Sequence, residues 1–260
     1  MSFTGFSLTR SVAVAIAAVV LALPGAVLAA LPDLIQRLKP SIVAIGTFDR
    51  TRSPAFIMRG TGFSVGNGNL IATNAHVLPE SLNPSGNELL VVRLPAGPGE
   101  TQQRVVRVAG SDKSHDLAVL RLEGPPMPTI PLHHGVVREG QEIVFMGFPI
   151  GTVLGLSTVT HRGIISAITP VALPSGSAQQ LNEKVIRRLK GGAFDVYQLD
   201  GTAYPGNSGG PLLDAETGEV IGVINMVFVK GTKESALSQP SGISFAIPVI
   251  FLKELLQNIP

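Results

Sequence analysis

The 260-residue chain contains no cysteine. This absence excludes disulfide bonds, a thiolate nucleophile and metal sites with cysteine ligands. Charged residues make up only 15% of the chain, and the 20 basic residues nearly balance the 18 acidic ones. A dedicated nucleic-acid-binding protein usually carries a concentrated basic excess, so we expect no nucleic-acid partner. Apolar residues make up 45%, which excludes intrinsic disorder as the main state of the chain.

Aromatic residues make up only 5%, whereas 29 glycines and 20 prolines indicate many turns. Short apolar segments between such turns predict an all-β protein of the sandwich or barrel type. The predicted strands cover 41–47, 62–65, 70–73, 88–94, 103–108, 117–122, 142–146, 158–168, 195–198, 210–213, 220–229 and 242–246. A proline-rich stretch at 124–128 divides them into two blocks, and short amphipathic helices are predicted at Leu31–Leu38 and Pro248–Ile259.

The first thirty residues differ from the rest of the chain. Arg10 is their one charged residue, an apolar run covers Val12–Leu23, and Pro24-Gly25 interrupts it before several small residues. This pattern predicts a secretory signal peptide at 1–29, with cleavage after Ala29. The alternative is a retained anchor, since 12–31 is about long enough to span a bilayer. We therefore expect an exported protein, most naturally periplasmic, with no stable membrane span after cleavage; a secreted or signal-anchored protein is the alternative.

A glycine-rich motif surrounds Ser208 in the segment Tyr204–Pro211. Serine is a poor nucleophile on its own, and it needs a general base and donors that hold the oxyanion. Glycines allow backbone conformations that are closed to other residues, and they can direct two N–H groups at one point. The alternative interpretation of the motif is an ordinary glycine-rich turn.

Two further motifs each contain one residue of a possible catalytic set. His76 directly follows an apolar strand, and Asp116 precedes a fully apolar one. Taken separately, His76 would be an ordinary structural histidine and Asp116 a turn cap. Together with Ser208 they occur in the order His, Asp, Ser, which is the chain order of the chymotrypsin-type triad.

These motifs resemble those of trypsin-like serine proteases of the HtrA/DegP type. The resemblance extends from about Leu31 to Leu256 and includes Gly60–Val65 and Gly242–Pro248. It implies two perpendicular six-stranded antiparallel β-barrels of the chymotrypsin type. The first barrel and the leading helix would cover 30–125, and the second barrel and the closing helix would cover 126–260. By the same resemblance the catalytic residues are His76, Asp116 and Ser208, and the N–H groups of Gly206 and Ser208 form the oxyanion hole. No cofactor is implied.

The resemblance also places the walls of the substrate pocket. They are Thr202, Ala203, Met226, Val227 and Phe228. A pocket for lysine or arginine needs an acidic residue, and none is present there. We therefore expect small or medium aliphatic side chains at P1, the substrate residue before the cleaved bond.

Other features separate the chain from the family that it resembles. We expect no PDZ domain, because little sequence follows the closing helix. The long segment 171–194 is either a regulatory or docking element for a partner or a solvated insertion. The adjacent His133 and His134 would point to opposite faces of a strand, so we expect no metal site.

The combined prediction is an exported serine endopeptidase that cleaves unfolded or extended protein segments through an acyl-enzyme intermediate. One alternative is a protease-fold binding or regulatory module that is silent until a partner orders the oxyanion loop. The other is a protease dedicated to one partner protein. The sequence leaves a homotrimer and a monomer equally open.

Overall fold

The computed structural model describes residues 31–81, 87–97, 100–150, 156–170, 194–226 and 242–259. Several predictions fall outside these ranges. They concern the signal peptide at 1–29, the segment 171–193, and the pocket residues Val227 and Phe228.

Twelve strands and two α-helices lie within the described residues. In chain order they are α1 (Leu31–Leu38), β1 (Ile42–Phe48), β2 (Phe56–Val65), β3 (Leu70–Asn74), β4 (Leu89–Gly97), β5 (Glu100–Asp112), β6 (Leu117–Leu122), β7 (Glu142–Gly147), β8 (Val159–Pro170), β9 (Asp195–Asp200), β10 (Pro211–Asp214), β11 (Val220–Asn225), β12 (Ile243–Pro248) and α2 (Val249–Gln257).

The strands form two closed antiparallel barrels with the same connectivity. The first runs β1-β2-β3-β6-β5-β4 and the second β7-β8-β9-β12-β11-β10, each closing on itself. The predicted class of two six-stranded antiparallel barrels with two short helices is confirmed. The strands of the two barrels lie on either side of 124–128, whereas the domain boundary at residue 125 stays a prediction.

Strand β1 contributes side chains to two apolar clusters. Alternate residues of a strand point to opposite faces. Val43 and Ile45 pack into the interior of the first barrel. Ile42 and Ala44 point the other way, into an apolar cluster that also holds residues of the second barrel and of both helices. An almost continuous apolar sequence therefore forms this strand because both of its faces are covered.

Strand β2 begins six residues earlier than predicted. Its first residues pair with the end of β1, after a register shift at Ile45/Gly46. The prediction missed them because polar and apolar residues do not alternate regularly there. Gly46 fits this pairing, since a Cβ at this position would lie 2.5 Å from the ring of Phe56.

The closing helix α2 packs against strands of both barrels, namely β5, β6, β11 and β12. It therefore covers the junction of the barrels, although the sequence prediction assigned it to the second one. Neither helix in the described part of the chain is long and apolar enough to cross a membrane.

The turn after β10 depends on the carboxylate of Asp214. Its Oδ1 accepts the N–H groups of Glu216 (3.0 Å) and Thr217 (2.7 Å), and its Oδ2 accepts the side-chain amide of Gln141 (2.6 Å). Burial on its own raises the pKa of Asp214, but the hydrogen bonds from Thr217 and Gln141 outweigh it, and the pKa lies below its ordinary value.

We expect Asp214→Ala to lower the free energy of unfolding by about 1–3 kcal/mol at pH 7, because charged hydrogen bonds are lost. A depressed pKa stabilises the fold above the unfolded-state value, about 3.9, and this contribution disappears as pH falls through the folded-state value. Urea unfolding at pH 7 and pH 3 should therefore show a smaller difference between wild type and variant at pH 3. An equal difference at both pH values would contradict the assignment.

Candidate active site

Asp116 lies in the tight turn between β5 and β6. Its φ of 54° is in the left-handed region, which is uncommon for a residue other than glycine. Asp112 stabilises the turn, since its Oδ1 accepts the N–H groups of Ser114 (2.8 Å) and His115 (3.2 Å). The Asp116 carbonyl accepts the N–H of Ala75 at 3.0 Å. These bonds hold Asp116, a residue that is 4% exposed, at the end of β3.

His76 lies in the short 3-10 turn Ala75–Val77 that follows β3. Its N–H donates to Oδ1 of Asp116 at 2.9 Å, and its Nδ1 lies 2.6 Å from Oδ2. Because a carboxylate only accepts hydrogen bonds, Nδ1 carries the proton in neutral His76, and Nε2 keeps its lone pair. The His76 side chain is 31% exposed, so Nε2 is available for proton transfer.

A third residue, Asn225, also contacts the carboxylate of Asp116. It is fully buried at the end of β11, and its Nδ2 donates to Oδ2 of Asp116 at 2.8 Å. Burial raises the pKa of Asp116, but hydrogen bonds from His76 and Asn225 outweigh it, and the pKa lies below its ordinary value. The sequence prediction placed Asn225 in a strand beside the substrate pocket and missed its contact with Asp116; the one signal for that contact was an amide side chain at the end of an otherwise apolar strand.

The loop that carries Ser208 requires its glycines. Gly206 and Gly209 have φ of 106° and 83°, in the region that glycine adopts freely. A Cβ at Gly206 would lie 2.2 Å from the carbonyl oxygen of Phe148, and one at Gly209 would lie 2.2 Å from Oγ1 of Thr73. Any larger residue at either position would force the loop away from its neighbours.

Gly60 lies between Ser208 and the turn that contains His76. A Cβ at Gly60 would lie 2.6 Å from Val77 and 2.9 Å from the Ser208 carbonyl oxygen, so the two segments approach each other across this glycine. Ser208 is 5% exposed. The structure thus brings the three predicted residues to one junction of the barrels. Among the described residues, no hydrogen bond joins the Ser208 hydroxyl to His76. Hydrogen bonds between catalytic groups are often long in enzymes without substrate and shorten when substrate binds.

Three of the five N–H groups from Gly206 to Gly210 donate hydrogen bonds to backbone carbonyls. The N–H groups of Asn207, Gly209 and Gly210 donate to the carbonyls of Tyr204, Ile224 and Asn207, each at 2.9 Å. The remaining N–H groups, those of Gly206 and Ser208, have no acceptor among the residues that the structure describes. These are the two groups that the sequence assigned to the oxyanion hole.

The described part of the predicted substrate pocket lies on the second barrel. Ala203 is buried, and its N–H donates to Oγ of Ser244 at 2.7 Å. Met226 packs against the same apolar cluster that contains Ala203. Thr202 lies next to Ala203 and is partly exposed.

The histidine pair at 133–134 lies away from this site. Nδ1 of His133 pairs with Oε2 of Glu219 at 2.7 Å, and Lys253 donates to the His133 carbonyl and lies 3.3 Å from Nδ1 of His134. In 31–81, 87–97, 100–150, 156–170, 194–226 and 242–259, no three potential metal ligands cluster together.

The fold and the His76–Asp116 pair beside a glycine-rich serine loop define the class of two-barrel peptidases. The family model described as "Trypsin-like peptidase domain" matches residues 60–223. The chain belongs to this family, and its similarities are to HtrA-type members.

Two curated relatives illustrate these similarities. "Serine protease HTRA2, mitochondrial" of Bos taurus is 33% identical over 231 residues, which cover 87% of this chain and 42% of that protein. "Putative serine protease HhoA" of Synechocystis sp. is 33% identical over 193 residues, which cover 74% of this chain and 40% of that protein. The chain therefore spans less than half the length of these relatives.

A solved structure, "HtrA-type protease AlgW with tripeptide", has a TM-score of 0.61 with this chain and is 25% identical to it. The match covers 88% of this chain and 62% of that one.

Proposed function

We propose that the protein is a serine endopeptidase that cleaves unfolded or extended protein segments through an acyl-enzyme intermediate. His76, Asp116 and Ser208 are the proposed catalytic residues. The observation that carries this proposal is the geometry at the junction of the barrels. There Nδ1 of His76 lies 2.6 Å from Oδ2 of Asp116. In the nearby Ser208 loop, the N–H groups of Gly206 and Ser208 have no acceptor among the described residues. Family membership supports it.

In the proposed reaction, Ser208 Oγ attacks the substrate carbonyl carbon while its proton moves to Nε2 of His76. The carbonyl oxygen becomes negatively charged and accepts the N–H groups of Gly206 and Ser208. His76 then gives the proton to the leaving amine as the peptide bond breaks. A water molecule, deprotonated by His76, then attacks the ester carbonyl, and His76 returns the proton to Ser208 Oγ as the ester bond breaks and the acid product leaves. Throughout these steps, ionised Asp116 orients the imidazole and stabilises its charged form.

We also propose that the protein is exported, most naturally to a periplasm, on the basis of the signal-peptide pattern at 1–29. Protein or peptide segments are the proposed substrates. A regulatory partner at 171–194 and assembly as a homotrimer or existence as a monomer remain proposals that rest on sequence.

The test is reaction of the mature protein with a fluorophosphonate probe, combined with degradation of an unfolded protein such as casein. We expect labelling at Ser208 and broad casein cleavage. Labelling without casein cleavage would favour a protease dedicated to one partner. A folded protein that does not react would contradict an active resting enzyme and favour the partner-dependent module.

The predicted pocket gives a further expectation about specificity. Since no acidic residue stands among Thr202, Ala203, Met226, Val227 and Phe228, we expect peptides with valine or alanine at P1 to be cleaved at least about tenfold faster than peptides with arginine. Values of kcat/KM for peptides that differ only at P1 provide the measurement. A preference for arginine would refute the predicted pocket.

A further inference from the structure

Thr61 connects the first barrel to the Ser208 loop. It lies in β2 and is fully buried. Its N–H donates to the Ser208 carbonyl at 2.8 Å, and its Oγ1 donates to the Gly206 carbonyl at 2.6 Å. The same Oγ1 accepts the N–H of Phe148 at 3.2 Å. One residue therefore contacts two carbonyls of the loop and the start of the β7–β8 connection.

The direction of the Thr61 hydroxyl is determined by these contacts. The N–H of Phe148 can only donate, so it occupies a lone pair of Oγ1. The hydroxyl hydrogen then points at the Gly206 carbonyl, the acceptor at 2.6 Å. The position has little free space, because a Cβ at Gly147 would lie 2.9 Å from Oγ1.

The two carbonyls that Thr61 holds flank the peptide plane of the Ser208 N–H. A carbonyl and the following N–H share one rigid plane and point in opposite directions. The hydroxyl of Thr61 thus orients the peptide plane between Gly206 and Asn207. The backbone N–H of Thr61 orients the peptide plane between Ser208 and Gly209. The plane between them carries the Ser208 N–H, and its orientation is restricted from both sides.

The plane that carries the Gly206 N–H is held from the other side. The Pro205 carbonyl accepts the N–H of Ile150 at 2.8 Å. Ile150 and Phe148 belong to the same connection after β7, and Phe148 donates to Thr61. The Gly206–Asn207 plane, which the Thr61 hydroxyl orients, lies between the two donor planes and adjoins both. Glycine at 206 can rotate these planes at little steric cost, so contacts from outside the loop add to its internal hydrogen bonds in selecting the orientation.

We propose that Thr61 is a positioning residue that sets the two N–H groups of the oxyanion hole through its hydroxyl. This inference rests on the proposed peptidase function. Thr61 does not touch substrate. Its contribution is the orientation of the loop in which Gly206 and Ser208 act.

The test compares Thr61→Val, which keeps the shape and removes the hydroxyl, with Thr61→Ser, which keeps the hydroxyl. Loss of a whole oxyanion donor costs about 10²- to 10³-fold in kcat, so misorientation by Thr61→Val should cost about 10- to 100-fold. KM should change by less than about threefold, because the substrate ground state does not use the hole fully. Thr61→Ser should restore kcat to within about threefold of wild type.

A second readout separates this role from general support of the fold. A peptidyl trifluoromethyl ketone forms a tetrahedral adduct whose oxyanion occupies the hole, so its inhibition constant should rise in Thr61→Val in parallel with the loss of kcat. Binding of the matching product peptide should not change. Unchanged kcat in Thr61→Val, or equal losses for both ligands, would overturn the inference. If Thr61→Val does not fold, Thr61→Ala removes the hydroxyl without a methyl group facing Gly206.

Hydrogen exchange distinguishes failure of this inference from failure of the proposed function. The Asn207 N–H lies on the plane that Thr61 orients, and it donates to Tyr204. Its exchange should be faster in Thr61→Val than in Thr61→Ser, whether or not wild type reacts with the fluorophosphonate probe. Equal exchange in the two variants would refute the positioning role. A wild type that does not react would refute the proposed resting activity and leave the exchange result to decide the inference.

Discussion

Replacing Ser208 by alanine is expected to lower kcat/KM for peptide substrates by a factor of about 10⁴ to 10⁶, because no other group supplies the nucleophile. His76 and Ser208 act as a unit, so the double variant Ser208→Ala/His76→Ala should be within about tenfold of Ser208→Ala. Steady-state kinetics of the two variants and of His76→Ala would measure this non-additivity. Reaction with the fluorophosphonate probe should disappear with Ser208.

The matched control for this experiment is Ser81→Ala, since Ser81 is an exposed serine outside the proposed machinery. It should retain wild-type kinetics and probe labelling. Labelling that persists in Ser208→Ala would assign the nucleophile to another residue. Additive losses from His76 and Ser208 would show that the two residues do not share one proton-transfer step.

Replacing Asp116 by asparagine is expected to lower kcat by about 10⁴ at pH 7. The carboxylate accepts both from Nδ1 of His76 and from Asn225. The other carboxylate oxygen, Oδ1, accepts the backbone N–H of His76. An amide that keeps its oxygen on this N–H faces Nδ1 of His76 with its NH₂ group, which favours the His76 tautomer with its proton on Nε2. That tautomer cannot accept the Ser208 proton.

Kinetics of Asp116→Asn should be compared with Asp214→Asn, the same substitution at a buried turn remote from the proposed chemistry. Asp214→Asn should retain most of the activity. Thermal unfolding of both variants separates loss of chemistry from loss of fold. Near-normal kcat in folded Asp116→Asn would show that Asp116 does not control the tautomer of His76.

The strands were predictable because their side-chain patterns are local. Segments such as Leu117–Leu122 are apolar on both faces and end at turn residues, which identifies a buried strand without knowledge of its partners. The start of β2 was not predictable, because Phe56–Arg59 acquires its conformation from pairing with the end of β1. The closure of two barrels came from the resemblance to a family, since strand order depends on contacts distant in sequence.

The residues of the candidate site also fall into a group that local sequence predicts and a group that it does not. His76, Asp116 and Ser208 lie in short motifs that can be recognised one at a time, and the structure places them at one junction. The roles of Asn225 and Thr61 depend on partners 109 and 145 residues away, at Asp116 and Gly206. A buried amide at a strand end and a threonine in a strand have no local pattern that separates these roles from ordinary packing.

The contacts between Asn225 and Asp116 and between Thr61 and Gly206 have a consequence for the order of folding. A chain that folds from its N-terminus completes the first barrel with His76 and Asp116, the proposed general base and its partner, but without the proposed nucleophile and oxyanion donors. These arrive with β10 and β11, close to the end of the chain. Long sequence separation makes such contacts late events. The proposed peptidase activity would therefore arise only in a fully folded molecule, and partly folded copies would not cleave the unfolded chains around them.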